Sequence, residues 1–183
     1  EEGRRGDMIQ YRTLFADEIC QDLFQNFIRR QVVNRCWRKE GGKWVIREDP
    51  FVDDWGAEEY QFLVRCLKNT VQTGGYVGGA FRDGALKGFV SVEAEPLGSR
   101  GNYRDLTSIH VSEDLRGHGI GKILFQKAKE WAAAQGAEKL YISSHSAVET
   151  QAFYRAMGCV EAKEYNRAHT EAEPYDCQLE CDL

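Results

Sequence analysis

Apolar residues recur at intervals of three and four positions in four stretches of the chain, which is the pattern of an amphipathic helix. The stretch after residue 119 is the clearest, because Ile120, Ile123, Leu124, Ala128 and Trp131 form one face and a glycine follows. The four predicted helices span residues 15–33, 57–75, 120–136 and 147–158.

Short apolar runs, alternating or continuous, predict strands around these helices. Two of them, 76–81 and 86–94, flank Asp83-Gly84, a dipeptide that favours a tight hairpin turn. The other predicted strands span 9–14, 106–111, 137–144, 159–165 and 175–183. This order of elements predicts a mixed α/β sheet with helices packed on it.

One segment between the first two predicted helices follows neither period. Residues 36–56 mix three tryptophans with charged residues, a Gly-Gly pair and a proline. This mixture predicts an irregular excursion over the surface. Excursions of this kind often shape a ligand site.

Length and composition narrow the class of protein. The chain has 183 residues, 42% hydrophobic and 29% charged, which predicts one globular domain over 8–183. Residues 1–7 are expected to be a flexible tail or a cloning remnant. A net charge of -5 without a long Lys/Arg block argues against nucleic-acid and membrane partners. Without a signal-like segment or a C-x-x-C pair among six cysteines, we expect a cytoplasmic protein with reduced thiols.

The segment EDLRGHGIGKILF, residues 113–125, places three glycines at the junction of a predicted strand and a predicted helix. A helix start leaves its first N–H groups unpaired, and glycines let a ligand approach them without side chains in the way. The helix dipole, Arg116 and Lys122 add positive charge, which favours a phosphate or pyrophosphate. A Walker loop is excluded because Ile123 follows Lys122, and the dinucleotide fingerprint is excluded because its third glycine is missing.

The remaining pattern, R-x-x-G-x-G at Arg116, Gly119 and Gly121, resembles the acetyl-CoA pyrophosphate loop of the GNAT acetyltransferase superfamily. The later FYRAMGCVEA resembles that superfamily's Tyr-x-x-x-Gly segment, with Tyr154 in the tyrosine position. The resemblance implies a mixed, mostly antiparallel sheet of about seven strands with about four helices, splayed between the strands predicted at 106–111 and 137–144. It also implies acetyl-CoA as co-substrate, bound by Ile109, His110, Val111, Arg116, Gly117, His118, Gly119, Ile120, Gly121 and Lys122.

Acetyl transfer from a thioester to an amine needs a base for the amine proton, a donor for the oxyanion and an acid for the leaving thiolate. By resemblance, Tyr154 lies near the sulfur as the acid, and the strand at 109–111 supplies an oxyanion N–H. Relatives that act on small amines carry acidic or imidazole groups at two positions of this strand, here Asp105 and Thr107. Asp105 is therefore the leading candidate base, with Glu93 and Glu95 on the preceding strand as alternatives.

Strict alternation along a strand places Asp105, Thr107, Ile109 and Val111 on one face and His110 on the other. This alternation predicts that Asp105 lies on the cofactor-facing side. It also predicts a core or supporting role for His110.

The irregular segment and the helix start after it combine acidic with aromatic side chains, including Asp54 and Trp55, a composition suited to a cationic amine. The leading interpretation is an N-acetyltransferase for a primary amine of a small molecule, such as a polyamine or aminoglycoside. Two alternatives stay open, a protein or peptide N-acetyltransferase and a non-catalytic acyl-CoA-binding sensor. The sequence leaves a homodimer open, and the spacing of its histidines and cysteines predicts no metal site.

Overall fold

A seven-stranded sheet runs through the computed structural model, which describes residues 8–183. In chain order the strands are β1 (Gln10–Thr13), β2 (Arg30–Glu40), β3 (Lys43–Asp54), β4 (Tyr76–Arg82), β5 (Ala85–Val92), β6 (Tyr103–Val111), β7 (Lys139–Ser144), β8 (Val160–Glu161) and β9 (Cys177–Asp182). The order in the sheet is β1-β4-β5-β6-β7-β9-β8, while β2 and β3 form a separate hairpin. Among these described strands, only β6 and β7 pair in parallel. The tail predicted for residues 1–7 lies outside the described residues.

Within residues 8–183, four α-helices pack around the sheet: α1 (Ala57–Gln72), α2 (Ile120–Ala134), α3 (Val148–Ala156) and α4 (Arg167–Ala172). Alternate residues of β5 face opposite layers. Val90 and Val92 pack with Leu124 of α2, whereas Phe89 packs with Leu67 of α1. The sheet therefore has an α1 face and an α2 face, and each face buries its own apolar cluster. The mixed, mostly antiparallel fold predicted from the sequence is confirmed.

The hairpin predicted at Asp83-Gly84 is also confirmed. Both residues have positive φ angles, 50° and 77°. This is the geometry of the two-residue turns whose twist matches that of antiparallel strands. β4 and β5 pair on either side of the turn, from Tyr76–Val92 to Arg82–Ala85.

The helix predicted over residues 15–33 is wrong. The chain instead makes two short 3-10 turns, Ala16–Glu18 and Gln21–Phe24, and enters β2 at Arg30. Of the apolar residues that suggested the helix, Ile19 and Phe27 are buried with α1 and β5, whereas Phe15 and Ile28 are exposed. The short turns are enough to bury the apolar residues of this segment that face the core. From Arg30 onward, pairing with β3 stabilises a strand in spite of the local helical pattern.

The irregular excursion predicted over 36–56 is wrong as well, because most of it belongs to the long hairpin β2–β3. Gly41 and Gly42 form its two-residue turn, with φ angles of 56° and 79°. Pro50 is accommodated at an irregularity in the pairing, between the Arg35–Glu48 and Val33–Phe51 partners. The Gly-Gly pair was the available signal for this hairpin.

Near the C-terminus, the strand predicted over 159–165 shortens to Val160–Glu161, and α4 forms where no helix was predicted. Asn166 caps α4, its side chain accepting the N–H of His169 at 3.1 Å. Helix α4 stands on the α1 face beside β6 and β7, since the ring of His169 stacks on Tyr141. The unpredicted helix thus brings a histidine next to the centre of the sheet.

Candidate active site

Strands β6 and β7 separate after a short stretch of pairing. They are paired only from Tyr103–Lys139 to Asp105–Tyr141, and the residues that follow diverge. A cavity of about 720 Å³ opens in this split. Its walls come from both strands, the loop before α2, one side of α3 and the start of β2. The splay that the family resemblance implies is therefore present, and the cavity it creates is the candidate site.

The backbone of β6 offers donors to this cavity. Ser112 N donates to Lys87 O at 2.8 Å, and Phe89 lies opposite His110 in the register with β5. Hydrogen-bonded pairs alternate along an antiparallel ladder, so the N–H groups of Ile109 and Val111 point away from β5 and into the split. Both residues line the cavity.

The start of α2 forms the positive end of the cavity. Gly117 and Gly119 have φ angles of 83° and 79°, and a side chain at either position would meet open space within 4 Å. The backbone N–H groups of the helix start, with the charges of Arg116 and Lys122, are suited to an anion, and this end of the cavity is called the anion site below. Of the ten predicted cofactor residues, all but His118 line the cavity; His118 is exposed outside it.

Tyr154 of α3 reaches the same cavity from the β7 side. Its side chain is buried against the rings of Phe125 and Phe153. This burial raises the pKa of the Tyr154 phenol far above its ordinary value. The hydroxyl is therefore protonated at neutral pH and available as a donor.

A β-bulge in β6 changes which residues share a face. Ser108 lies opposite Ser91, but Leu106 lies opposite Val92, so Thr107 is an extra residue in the ladder. Leu106 and Ile109 both pack toward α2, although they are three positions apart. The prediction that Asp105 shares the face of Ile109 and Val111 is wrong for this reason.

Asp105 instead faces the α1 side, and so does His110, which contacts Phe89. The predicted separation of Asp105 and His110 onto opposite faces is wrong as well. Asp105 is 7% exposed, and its Oδ2 lies 2.6 Å from Nε2 of His169 on α4. This carboxylate raises the pKa of His169. Asp105 lies outside the cavity lining, and its Oδ1 is buried without a partner among the described residues.

Glu93 is joined to the cavity wall by a hydrogen bond. Its Oε2 accepts a hydrogen bond of 2.6 Å from the hydroxyl of Thr107, which is part of the cavity wall. Thr70 of α1 holds the same carboxylate at 2.9 and 3.0 Å, and Ser91 extends the polar cluster at 2.8 Å from Thr107. Glu95 is exposed beyond the end of β5.

Comparison with known proteins agrees with this geometry. The family model described as "Acetyltransferase (GNAT) family" matches residues 32–159. The chain belongs to the GNAT acetyltransferase family. Comparison with curated proteins gives no significant match.

Solved structures share the fold of this GNAT acetyltransferase at low identity. Nourseothricin acetyltransferase is 20% identical with a TM-score of 0.65, covering 94% of this chain and 95% of its own. A putative streptothricin acetyltransferase from Bacillus anthracis str. Ames, in complex with acetyl coenzyme A, is 14% identical with a TM-score of 0.70, covering 96% and 99%. PaiA N-acetyltransferase from Thermoplasma acidophilum, in complex with coenzyme A, is 16% identical with a TM-score of 0.60, covering 96% and 99%.

Family membership confirms the predicted acetyl-CoA-dependent acetyltransferase, and the cavity fits that co-substrate. Open space over Gly117 and Gly119 leaves room for the pyrophosphate of acetyl-CoA. The split between β6 and β7 leaves room for its pantetheine arm beside the backbone of β6. Across residues 8–183, no helix is long and apolar enough to cross a membrane. Within the same range, no group of acidic, histidine or cysteine side chains is arranged to hold a metal ion.

Sequence reasoning missed Arg29, which lines the cavity of this acetyltransferase from the start of β2. Arg29 Nε donates to His110 Nδ1 at 3.1 Å. Burial and the positive charges of Arg29 and Arg116 lower the pKa of His110 to about 3. His110 is therefore neutral at physiological pH, with its proton on Nε2, and cannot serve as the base.

The predicted acceptor residues are engaged differently. The ring of Trp55 lies 5.0 Å from the Arg29 guanidinium and 5.1 Å from the ring of His110, so Trp55 supports these two side chains. Asp54 is exposed at the end of β3 and lies outside the lining. An arginine at position 29 carried no pattern that local sequence analysis could have recognised.

Proposed function

We propose that the protein transfers the acetyl group of acetyl-CoA to a primary amine of a small molecule by direct attack. The observation that carries this proposal is one continuous cavity, which joins the anion site at Gly117–Gly119 to Tyr154 and to the hydroxyl of Thr107. With the pyrophosphate of acetyl-CoA at one end, the thioester lies beside β6. Tyr154 is then the acid near the sulfur, and the Thr107 hydroxyl marks the side from which the amine approaches.

The β2–β3 hairpin limits the size of the acceptor. Trp37 N donates to Ser146 O at 2.8 Å, and Gln31 Nε2 donates to Thr150 Oγ1 at 3.2 Å, so the hairpin lies across the end of β7 and the start of α3. Gln31 and Val32 are part of the cavity wall. Because the hairpin covers this side of the cavity, it restricts the approach of a protein surface more than that of a small molecule, and this is the argument against a protein acceptor.

The chemistry follows from the groups around the split. The amine nitrogen attacks the thioester carbonyl, and the N–H of Ile109 or Val111 donates to the developing oxyanion. The C–N bond forms, the C–S bond breaks, and the thiolate takes a proton from the Tyr154 hydroxyl. The ammonium proton passes to a base, and the phenol is reprotonated from solvent.

We assign the base role to Glu93 in preference to Asp105 and Glu95. The Glu93 carboxylate is one hydrogen bond from the cavity wall through Thr107, so a single water or the Thr107 hydroxyl can connect it to the amine. Asp105 is committed to His169 and lies outside the lining. Glu95 lies in the loop after β5, exposed to solvent.

A panel of primary amines, assayed for free-thiol release from acetyl-CoA, tests this proposal. Small amines should support turnover, whereas peptides with free N-termini or lysines should be poor acceptors because of the hairpin. Binding of acetyl-CoA without turnover on any amine or peptide would identify an acyl-CoA sensor instead. Preferential turnover on peptides would overturn the small-molecule assignment.

A further inference from the structure

The guanidinium of Arg29 is buried, and some of its N–H donors have no acceptor. The residue is 8% exposed, and its Nε is used by His110. Its Nη2 has two long contacts of 3.3 Å, to Gln31 Oε1 and Asp53 Oδ2. Its Nη1 is buried with no partner among residues 8–183. The Nη1–Nη2 edge is therefore the incompletely satisfied part of the side chain.

The charges around this guanidinium are not balanced by the protein. Asp53, its ion-pair partner, has a side chain that is 41% exposed, which weakens the interaction. The charged residues lining the cavity are Arg29, Arg116 and Lys122 against the single carboxylate of Glu149. One of the acidic hairpin residues that suggested a cationic acceptor, Asp49, is already paired with Arg38 at 3.0 Å.

A buried charge is costly unless it is paired and hydrogen-bonded. Arginine presents a planar fork that matches a carboxylate in a bidentate geometry. Stacking on Trp55 and the bond to His110 hold the Arg29 fork in one orientation. The arrangement is thus pre-organised for a planar anion that arrives with a ligand.

The location of Arg29 separates it from the cofactor loop. Its partners His110 and Trp55 lie on the α1 face, with Phe89 against the ring of His110. Glu93 and Thr107 lie on the same face. His110 lies three positions after Thr107 on β6, a span of about 10 Å. A ligand whose carboxylate reaches Arg29 can therefore direct its amine toward the thioester and the Thr107–Glu93 pair.

We propose that Arg29 binds a carboxylate of the acceptor, so that the acceptor class is an amino acid or a small amine that carries a carboxylate. This inference rests on the small-molecule acetyltransferase function proposed above. Polyamines and aminoglycosides, which lack an anionic group, are disfavoured by the same site.

The test compares amino acids with the amines that remain after their decarboxylation, such as lysine with cadaverine, phenylalanine with phenethylamine and methionine with 3-methylthiopropylamine. For at least one pair, the wild type should show kcat/KM higher by about tenfold or more for the member with the carboxylate. Arg29→Gln should remove this preference, mainly through KM, and Arg29→Lys should retain part of it. Arg30→Gln is the matched control, because Arg30 is adjacent, half exposed and paired with Glu113.

Binding of acetyl-CoA by calorimetry distinguishes the source of the anion. Its Kd should change by less than about twofold in Arg29→Gln. A large loss of acetyl-CoA affinity would place a cofactor phosphate on Arg29 and overturn the inference. Turnover by the wild type without any preference for carboxylate-bearing members would also overturn it, while leaving the proposed function intact. Absence of turnover across all pairs and the wider amine panel would refute the proposed function itself. The wild-type comparison decides the matter even if Arg29→Gln fails to fold.

Discussion

Replacement of Gly119 by valine should separate the cofactor role of the α2 start from its structural role. Gly119 has a φ of 79°, so an L-residue costs about 1–2 kcal/mol in backbone strain. No heavy atom lies within 4 Å of a Cβ built there, so in the ligand-free protein no steric clash of the Cβ adds to this strain. The valine would occupy the space above the helix N–H groups that we assign to the pyrophosphate. Loss of one charge-assisted hydrogen bond, about 1.5–3 kcal/mol, corresponds to an affinity for acetyl-CoA about 10- to 150-fold lower.

Gly136, at the other end of α2, provides a matched control. Its φ is 86°, and a Cβ there also meets nothing within 4 Å. Gly119→Val and Gly136→Val should therefore lose similar unfolding free energy in urea titrations. Only Gly119→Val should lose acetyl-CoA affinity by calorimetry. Unchanged affinity in folded Gly119→Val, or an equal loss in Gly136→Val, would refute the assignment of the anion site.

Three further predictions concern catalysis and pH. Tyr154→Phe should lower kcat about 100- to 10,000-fold at unchanged acetyl-CoA affinity, measured by thiol release and calorimetry, because it removes only the proton donor; a fully active variant would make Tyr154 a packing residue. Glu93→Gln should lower kcat/KM at neutral pH and recover partly as rising pH supplies neutral amine, whereas Asp105→Asn should leave the shape of the pH profile unchanged; the reverse result would return the base role to Asp105. Because the folded-state pKa of His169 is raised by Asp105, the stability from this pair is present below the ordinary histidine pKa and lost as pH rises through the raised value. The unfolding free-energy difference between wild type and Asp105→Asn should therefore be larger near pH 5.5 than near pH 9, and in a His169→Gln background this pH dependence should vanish.

Local features of the sequence were sufficient for the parts of the site that use consecutive residues. The anion site depends on backbone N–H groups between Arg116 and Lys122, so its glycines and charges can be recognised within one short segment. The Asp83-Gly84 turn and the helices α1 and α2 likewise follow from local conformation and periodicity. The splay of the sheet depends on contacts between distant strands, and it was predicted only through the family resemblance.

Strand alternation failed where the pairing between strands added a residue. The bulge at Thr107 arises from the register of β6 against β5, and it turns Asp105 away from the side of Ile109 and Val111. The same dependence on partners converted the apparent helix at 15–33 and the apparent loop at 36–56 into turns and a long hairpin. A single strand carries no record of the register that its neighbour imposes.

The groups that we expect to select the acceptor and take its proton were assembled entirely by tertiary structure. Arg29 meets His110 across 81 positions of the chain. The contact of Asp105 with His169, across 64 positions, is what removes Asp105 as the candidate base. Glu93 gained its place beside the cavity through Thr107 and Thr70, which come from another strand and from α1. A phosphate loop can be recognised from sequence because its donors are consecutive residues. The orientation and burial of an isolated arginine or carboxylate are decided only when distant segments pack together.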